Sequence, residues 1–129
     1  MNSSAELRQR LLDLYAAMSS GVASRVEAMY SLEPGSCFIG TDAAEFWTDS
    51  EKHNADVRPY FDGSRGKNTW VAGDSPIANV EGSVGWTVDR PSIRLADGTR
   101  YEDLRVTLVW HVEGGEWTVV QSHASVGSN

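Results

Sequence analysis

The sequence is short of cysteine and of basic residues. Its single thiol, Cys37, cannot form a disulfide within the chain, so nothing points to an oxidising compartment. Eleven Lys and Arg residues stand against 18 Asp and Glu residues, and the net charge of −7 disfavours nucleic acid and anionic membranes as partners. No stretch approaches the roughly 20 apolar residues that a membrane-spanning helix needs, and the polar segment 1–6 does not resemble a secretion signal. We therefore expect a cytoplasmic protein that binds neither nucleic acid nor membrane.

Motifs for metals and nucleotides are missing as well. The three histidines, His53, His111 and His123, are too scattered for a metal signature, and Cys37 has no second ligand at a suitable spacing. The glycines within 82–98 lie in predicted strands or turns with no helix after them, unlike a phosphate-binding loop. We predict neither a metal nor a cofactor.

Length and hydrophobic spacing favour one domain that begins with helices. With 129 residues, 40% of them hydrophobic, the chain is long enough for one core and too short for two ordinary domains, which predicts a single domain over 1–129. After a Ser3–Glu6 capping box, apolar residues recur at helical spacing from 7 to 18. A shorter helix is predicted over 22–30, and a further one runs from a cap at 49–50 to Phe61.

The region between these helices and the C-terminal half predicts short elements. The apolar run 37–39 indicates a brief strand. Thr41 or Asp42 can then cap a helical turn that contains 45–47. From Asn68 onward the pattern is that of strands.

These strands predict an antiparallel meander with one buried face. Residues of one parity, Val80, Val84, Trp86 and Val88, are expected to face the core, and Asp97-Gly98 is a strong hairpin turn. Helices followed by a run of antiparallel strands indicate an α+β domain, with the helices packed on one side of a curved sheet.

The most informative pattern is a C-terminal hairpin. Two alternating runs flank Gly114-Gly115, and a turn there places Trp110 opposite Val119 and Val106 opposite His123. In that register three polar residues of the last strand face inward, namely Gln121, His123 and Ser125. Polar groups carried inward must be hydrogen-bonded or serve as the polar contacts of a pocket, so the pattern predicts a lined cavity.

Several short motifs, taken with this order of elements, carry a resemblance to a known family. They are Gly40-Thr41-Asp42, Glu45, Trp47, Gly85-Trp86, Arg105, Thr107, Trp117, His123 and Ser125. The chain resembles the SnoaL-like domains of the nuclear transport factor 2-like superfamily over nearly its whole length. The resemblance implies a cone-shaped fold, in which a curved antiparallel sheet wraps around N-terminal helices and leaves a largely apolar cavity, commonly in a homodimer paired through the sheet. Ketosteroid isomerases, polyketide cyclases, dehydratases, epoxide hydrolases and non-catalytic members share this cone, so the fold does not choose the function.

Two residues are candidates for acid/base chemistry. A neutral His123 imidazole facing the cavity could act as a base or bind a ligand carbonyl, and the alternative is a core histidine satisfied by Ser125, Thr107 or a backbone carbonyl. Asp42 could be a general base whose pKa is raised by an apolar setting beside Phe46 and Trp47, and the alternative is an ordinary helix cap. The full catalytic set of a ketosteroid isomerase cannot be placed on this chain.

The remaining candidates would line a ligand site or pack the core. They are Tyr15, Trp47, Trp86, Trp110, Gln121 and Ser125. Two functions follow. One is a small-molecule-binding protein, an isomerase, cyclase or hydrolase acting on a hydrophobic carbonyl compound. The other is a non-catalytic dimeric module with a packed cone, whose outer sheet mediates association. Arg105 has the parity of that outer face, an assignment that a β-bulge would reverse.

Overall fold

The computed structural model describes residues 1–127, and these form three helices and ten strands. The helices are α1 (Ala5–Ser19), α2 (Ala23–Glu27) and α3 (Ser50–Phe61). The strands are β1 (Asn2–Ser3), β2 (Cys37–Ile39), β3 (Phe46–Trp47), β4 (Asn68–Val71), β5 (Ile77–Glu81), β6 (Val84–Asp89), β7 (Ser92–Leu95), β8 (Arg100–Tyr101), β9 (Leu104–Glu113) and β10 (Glu116–Val126). None of the helices in this part of the chain is long and apolar enough to cross a membrane.

The architecture is α+β, as the sequence predicts. Seven strands form a large sheet in the order β1-β5-β6-β9-β10-β2-β3, and β4-β7-β8 form a smaller one. Within the large sheet only β10 and β2 run parallel. The large sheet has an inner face, which packs on α1 and the hydrophobic core, and an outer face turned away from it. This division decides where each candidate side chain lies.

Two of the helices, α1 and α3, begin at a residue whose side chain caps the first turn. The Ser4 hydroxyl accepts a hydrogen bond from the Leu7 amide at 3.0 Å, so the cap of α1 lies one residue after the predicted Ser3. The second helix is shorter than the predicted 22–30: it begins at Ala23 and ends at Glu27. Asp49 caps α3 by accepting from the Lys52 amide at 3.0 Å, as predicted.

The helical turn predicted over 41–47 is wrong. Asp42 accepts a hydrogen bond from the Ala44 amide, and the Glu45 carboxylate accepts one from the Asp42 amide, both at 2.8 Å. The Glu45–Asp42 bond is the one that a capping box would make, but the Asp42 side chain binds the Ala44 amide instead of the Glu45 amide, and the two bonds close a turn. The chain then continues as β3, with Phe46 and Trp47 in extended conformation.

The face of β6 that the sequence assigns to the core is also wrong. Val84, Trp86 and Val88 point outward, while Gly85, Thr87 and Asp89 alternate with them and are buried. Glycine explains the choice of face: a Cβ on Gly85 would lie 2.6 Å from Leu7 Cδ2, so α1 can approach the strand only where a side chain is missing. Val80 on β5 does pack against the core, as predicted.

The β9–β10 hairpin follows the predicted register up to Val119 and then departs from it. Trp117 pairs with Val112 and Val119 pairs with Trp110, but a bulge at Val120 shifts the ladder by one residue. Beyond the bulge, the inward-facing pairs are Ser122–Leu108 and Ala124–Val106. One extra residue turns every later side chain to the opposite face.

Gln121, His123 and Ser125 therefore lie on the outer face, opposite Val109, Thr107 and Arg105, and their predicted inward orientation is wrong.

Candidate functional site

The side chains predicted for the site separate into three places. Tyr15 and Trp110 face the core and are buried. Asp42 lies in the exposed turn before β3, and Trp47 lies on β3 itself. The outer face of the large sheet carries Trp86, Gln121, His123 and Ser125. Asp42 lies in the loop between β2 and β3, where its carboxylate accepts from the Ala44 amide, and within residues 1–127 no hydrogen bond or ion pair joins it to His123.

Inside the cone, Tyr15 pairs with an acid that the sequence analysis did not single out. Its hydroxyl donates to Asp89 Oδ2 at 2.9 Å, and the same oxygen accepts from the Gly73 amide at 3.1 Å. Both side chains are buried, at 4% and 5% exposure. Burial, the Asp89 charge and this hydrogen bond all raise the pKa of Tyr15, so the phenol stays protonated. The ring of Trp70 stacks on Tyr15 with centroids 6.0 Å apart.

Trp110 is fully buried and has its polar group satisfied within the core. Its indole Nε1 donates to Thr87 Oγ1 at 2.9 Å. Large side chains around it are equally enclosed, and they include Leu7, Leu11, Leu14, Val26, Phe38 and Val119. Tyr15, Asp89, Thr87 and Trp110 are thus hydrogen-bonded among closely packed apolar residues, whereas the buried Nε1 of Trp70 has no partner within residues 1–127.

Trp47 belongs to an aromatic cluster around a histidine on α3. The His53 ring lies 4.3 Å from Phe38, 5.0 Å from Trp47 and 5.1 Å from Tyr30, measured between ring centroids. Burial lowers the pKa of His53, despite its hydrogen bond to Asn54 and the charge of Asp56, so the imidazole is held neutral. The cluster joins α3 to the large sheet.

An open cleft of about 520 Å³ lies on the outer side of the large sheet, at the end of β6. Its walls are formed by Val88, Asp89, Arg90, Arg105, Val106, Thr107, His123 and Ser125. The bulge brings them together, because it places His123 beside Thr107 and Ser125 beside Arg105 on the same face. Four motif residues that carry the family resemblance, Arg105, Thr107, His123 and Ser125, therefore meet in one place. Arg90 had no signal of its own beyond its charge.

A second cleft, of about 410 Å³, opens near the β9–β10 turn. It contains His111 and Glu113, whose Nδ1 and Oε2 atoms are 3.5 Å apart, and Ser31 donates to the same carboxylate at 2.9 Å. Across residues 1–127, no group of three or more His, Cys, Asp or Glu side chains is arranged to hold a metal ion.

Comparison with known proteins identifies the family. The sequence pattern described as SnoaL-like domain matches residues 7–128. A search of curated proteins finds no match.

Solved structures confirm the fold. A structure from Streptomyces avermitilis, described as a candidate dehydratase of the nuclear transport factor 2-like family, is 12% identical with a TM-score of 0.80, over 96% of this chain and 95% of that one. A candidate association domain of calcium/calmodulin-dependent protein kinase II from Xanthomonas campestris is 15% identical with a TM-score of 0.76, over 100% and 96% of the two chains. A protein from Nostoc punctiforme with a cystatin-like fold is 11% identical, also with a TM-score of 0.76, over 100% and 97%. Such identities show a shared fold and nothing finer. With the family pattern matched over 7–128, the chain belongs to the SnoaL-like domain family.

Proposed function

We propose that this chain is a homodimeric association module, joined through the outer face of its large sheet. The observation that carries the proposal is an apolar patch on that face, formed by Ile77, Val84, Trp86, Val88 and Val109. Ile77 pairs with Val88, and Trp86 pairs with Val109, so the patch is continuous across β5, β6 and β9. A monomer seldom leaves a continuous apolar area of this kind in water.

The exposure of the patch supports a partner. Ile77 is 52% exposed, Val84 44% and Val88 37%. Because β5 and β6 are hydrogen-bonded on both sides, a partner cannot add a strand to them and has to pack face to face. A second copy brings the same apolar patch, which is the self-complementary surface that a twofold dimer requires. The Xanthomonas campestris neighbour is itself described as an association domain, which fits this role.

The alternative is a small hydrophobic carbonyl ligand inside the cone, with Asp42 and His123 as acid and base. It is less well supported because both side chains lie on exposed surfaces, outside the packed interior. Three of the polar side chains that face inward, Tyr15, Asp89 and Trp110, already have hydrogen-bond partners, and the buried Trp70 Nε1 is an exception among residues 1–127.

Sedimentation equilibrium tests the proposal. We expect the wild-type chain to sediment at twice its mass of 14.1 kDa, and Ile77→Glu/Val84→Glu to sediment as the monomer, because two charges in each copy would be buried without partners. The matched control is Val22→Glu/Leu32→Glu, which changes two residues that are 44% and 67% exposed and lie outside the patch.

The control should remain dimeric, and circular dichroism should show all three proteins folded. A monomeric wild type would refute the association, and a patch variant that is folded and still dimeric would refute this interface.

A further inference from the structure

We infer that the cleft at the end of β6 binds the carboxylate of a small organic acid. The inference goes beyond the proposed dimer and does not depend on it, since the cleft is formed by one chain. Its volume of about 520 Å³ lies within the range of small-molecule sites. The cleft and the apolar patch share only Val88.

The strand register concentrates hydrogen-bond donors in the cleft. Arg105 and Ser125 face each other across β9 and β10, and Thr107 and His123 form the next outward-facing pair. Directly opposed side chains in such ladders have Cβ atoms about 5 Å apart. Two hydroxyls, an imidazole and a guanidinium thus point to the same volume, and Arg90 adds a second guanidinium from the end of β6.

The charges of the cleft favour an anion. Within residues 1–127, neither Arg90 nor Arg105 lies within 4.0 Å of a carboxylate, although the chain as a whole is acidic. Arg105 makes one long contact, from Nη2 to the Val126 carbonyl oxygen at 3.4 Å. Its planar guanidinium therefore keeps donors that match the two oxygens of a carboxylate.

The acid in the lining does not neutralise these cations at contact distance. Asp89 is 5% exposed, and its Oδ2 atom accepts from Tyr15 and from Gly73 on the core side. Apart from this acid, the polar side chains of the lining are donors, and Val88 and Val106 form an apolar wall. That wall distinguishes an organic acid from an inorganic anion, because only the former has a hydrocarbon part to bury.

Titration of the ¹⁵N-labelled full chain with benzoate tests the inference. We expect saturable shifts of the Thr107, His123 and Ser125 amide resonances. Replacing the guanidinium in Arg90→Gln or Arg105→Gln should weaken binding about tenfold or more, since charge-assisted hydrogen bonds are lost. The matched control is Arg94→Gln, an exposed arginine on β7 that does not line the cleft, and it should leave binding unchanged.

Two further probes separate the parts of the inference. Benzamide has the same ring without the charge, and inorganic phosphate has charge without a hydrocarbon part; both should bind more weakly than benzoate. If benzamide binds as tightly as benzoate, the cleft does not recognise a carboxylate. If phosphate binds as tightly as benzoate, the cleft does not select an organic acid. Absence of benzoate shifts, or unchanged affinity in both cleft variants, would refute the site.

Sedimentation of the same samples keeps the two proposals apart. A wild type that is monomeric and binds benzoate would refute the homodimer and support the carboxylate site. A wild type that is dimeric and does not bind benzoate would support the homodimer and refute the carboxylate site.

Discussion

Replacing Tyr15 by phenylalanine should destabilise the fold by an amount set by one hydrogen bond. The hydroxyl that donates to Asp89 Oδ2 at 2.9 Å would be lost, while the ring would keep its stacking on Trp70. The carboxylate would remain buried, with the Gly73 amide as its one remaining donor among residues 1–127. A hydrogen bond to a charged group contributes about 1.5–3 kcal/mol, and no cavity of ring size forms, so we expect a loss in that range.

Urea unfolding at a fixed protein concentration measures this loss, because association would otherwise add to the apparent stability. With an m-value of about 1–3 kcal/mol/M, the midpoint should fall by about 1 M. Tyr60→Phe is the matched control: Tyr60 is 46% exposed, and the change should stay within about 0.5 kcal/mol.

A double-mutant cycle with Asp89→Asn isolates the pair. If Tyr15→Phe lowers the free energy of unfolding no more than Tyr60→Phe does, or if the cycle gives no coupling, the buried Tyr15–Asp89 bond does not stabilise the fold and the reasoning fails.

Two further predictions concern packing at other points of the core. Because burial lowers the pKa of His53 below its ordinary 6.5, the unfolded chain binds the proton more tightly, and the free energy of unfolding should decrease as the pH falls through and below 6.5. His53→Phe should weaken that dependence between pH 7.5 and 5 in thermal melts, whereas Tyr60→Phe, at an exposed site, should preserve it; equal pH profiles for all three proteins would contradict this account. Gly85→Ala should destabilise by about 1–3 kcal/mol, because its Cβ would meet Leu7 Cδ2 at 2.6 Å. Gly127→Ala, with nothing within 4 Å, should be neutral in the same urea assay, and a Gly85 variant as stable as this control would show that α1 can move away.

Much of the fold could be predicted because it rests on local chemistry. The spacing of Leu7, Leu11 and Leu14 specifies the buried stripe of α1, and Asp49 specifies the start of α3. The Gly114-Gly115 turn gives the correct pairing of Trp110 with Val119. Errors begin where two patterns compete. The alternation of Val84, Trp86 and Val88 is typical of residues that face a core. The close approach of α1 instead places the other face of β6, which includes Gly85, toward the core.

The side of the sheet on which the site residues lie could not be predicted, because it depends on contacts between residues far apart in the sequence. No residue near Val120 signals a bulge, since valine suits a regular strand. The segment after α2 pairs beside this point: the Val119 amide donates to the Met29 carbonyl at 2.9 Å, and the Ser31 amide donates to the Val119 carbonyl at 2.8 Å. Contacts between residues so far apart are invisible to spacing rules, yet they decide which face His123 occupies.

The parallel pairing of β2 with β10 has a consequence for how the chain acquires its structure. Gln121 lies beside Cys37, 84 positions earlier, and β10 is an interior strand of the large sheet. On the ribosome, the amphipathic α1 therefore emerges long before its binding surface is complete. Closing so long a loop is entropically unfavourable and slows folding. The apolar side of α1 therefore stays exposed to solvent for longer. Nascent chains should consequently depend on chaperones until β10 has been synthesised.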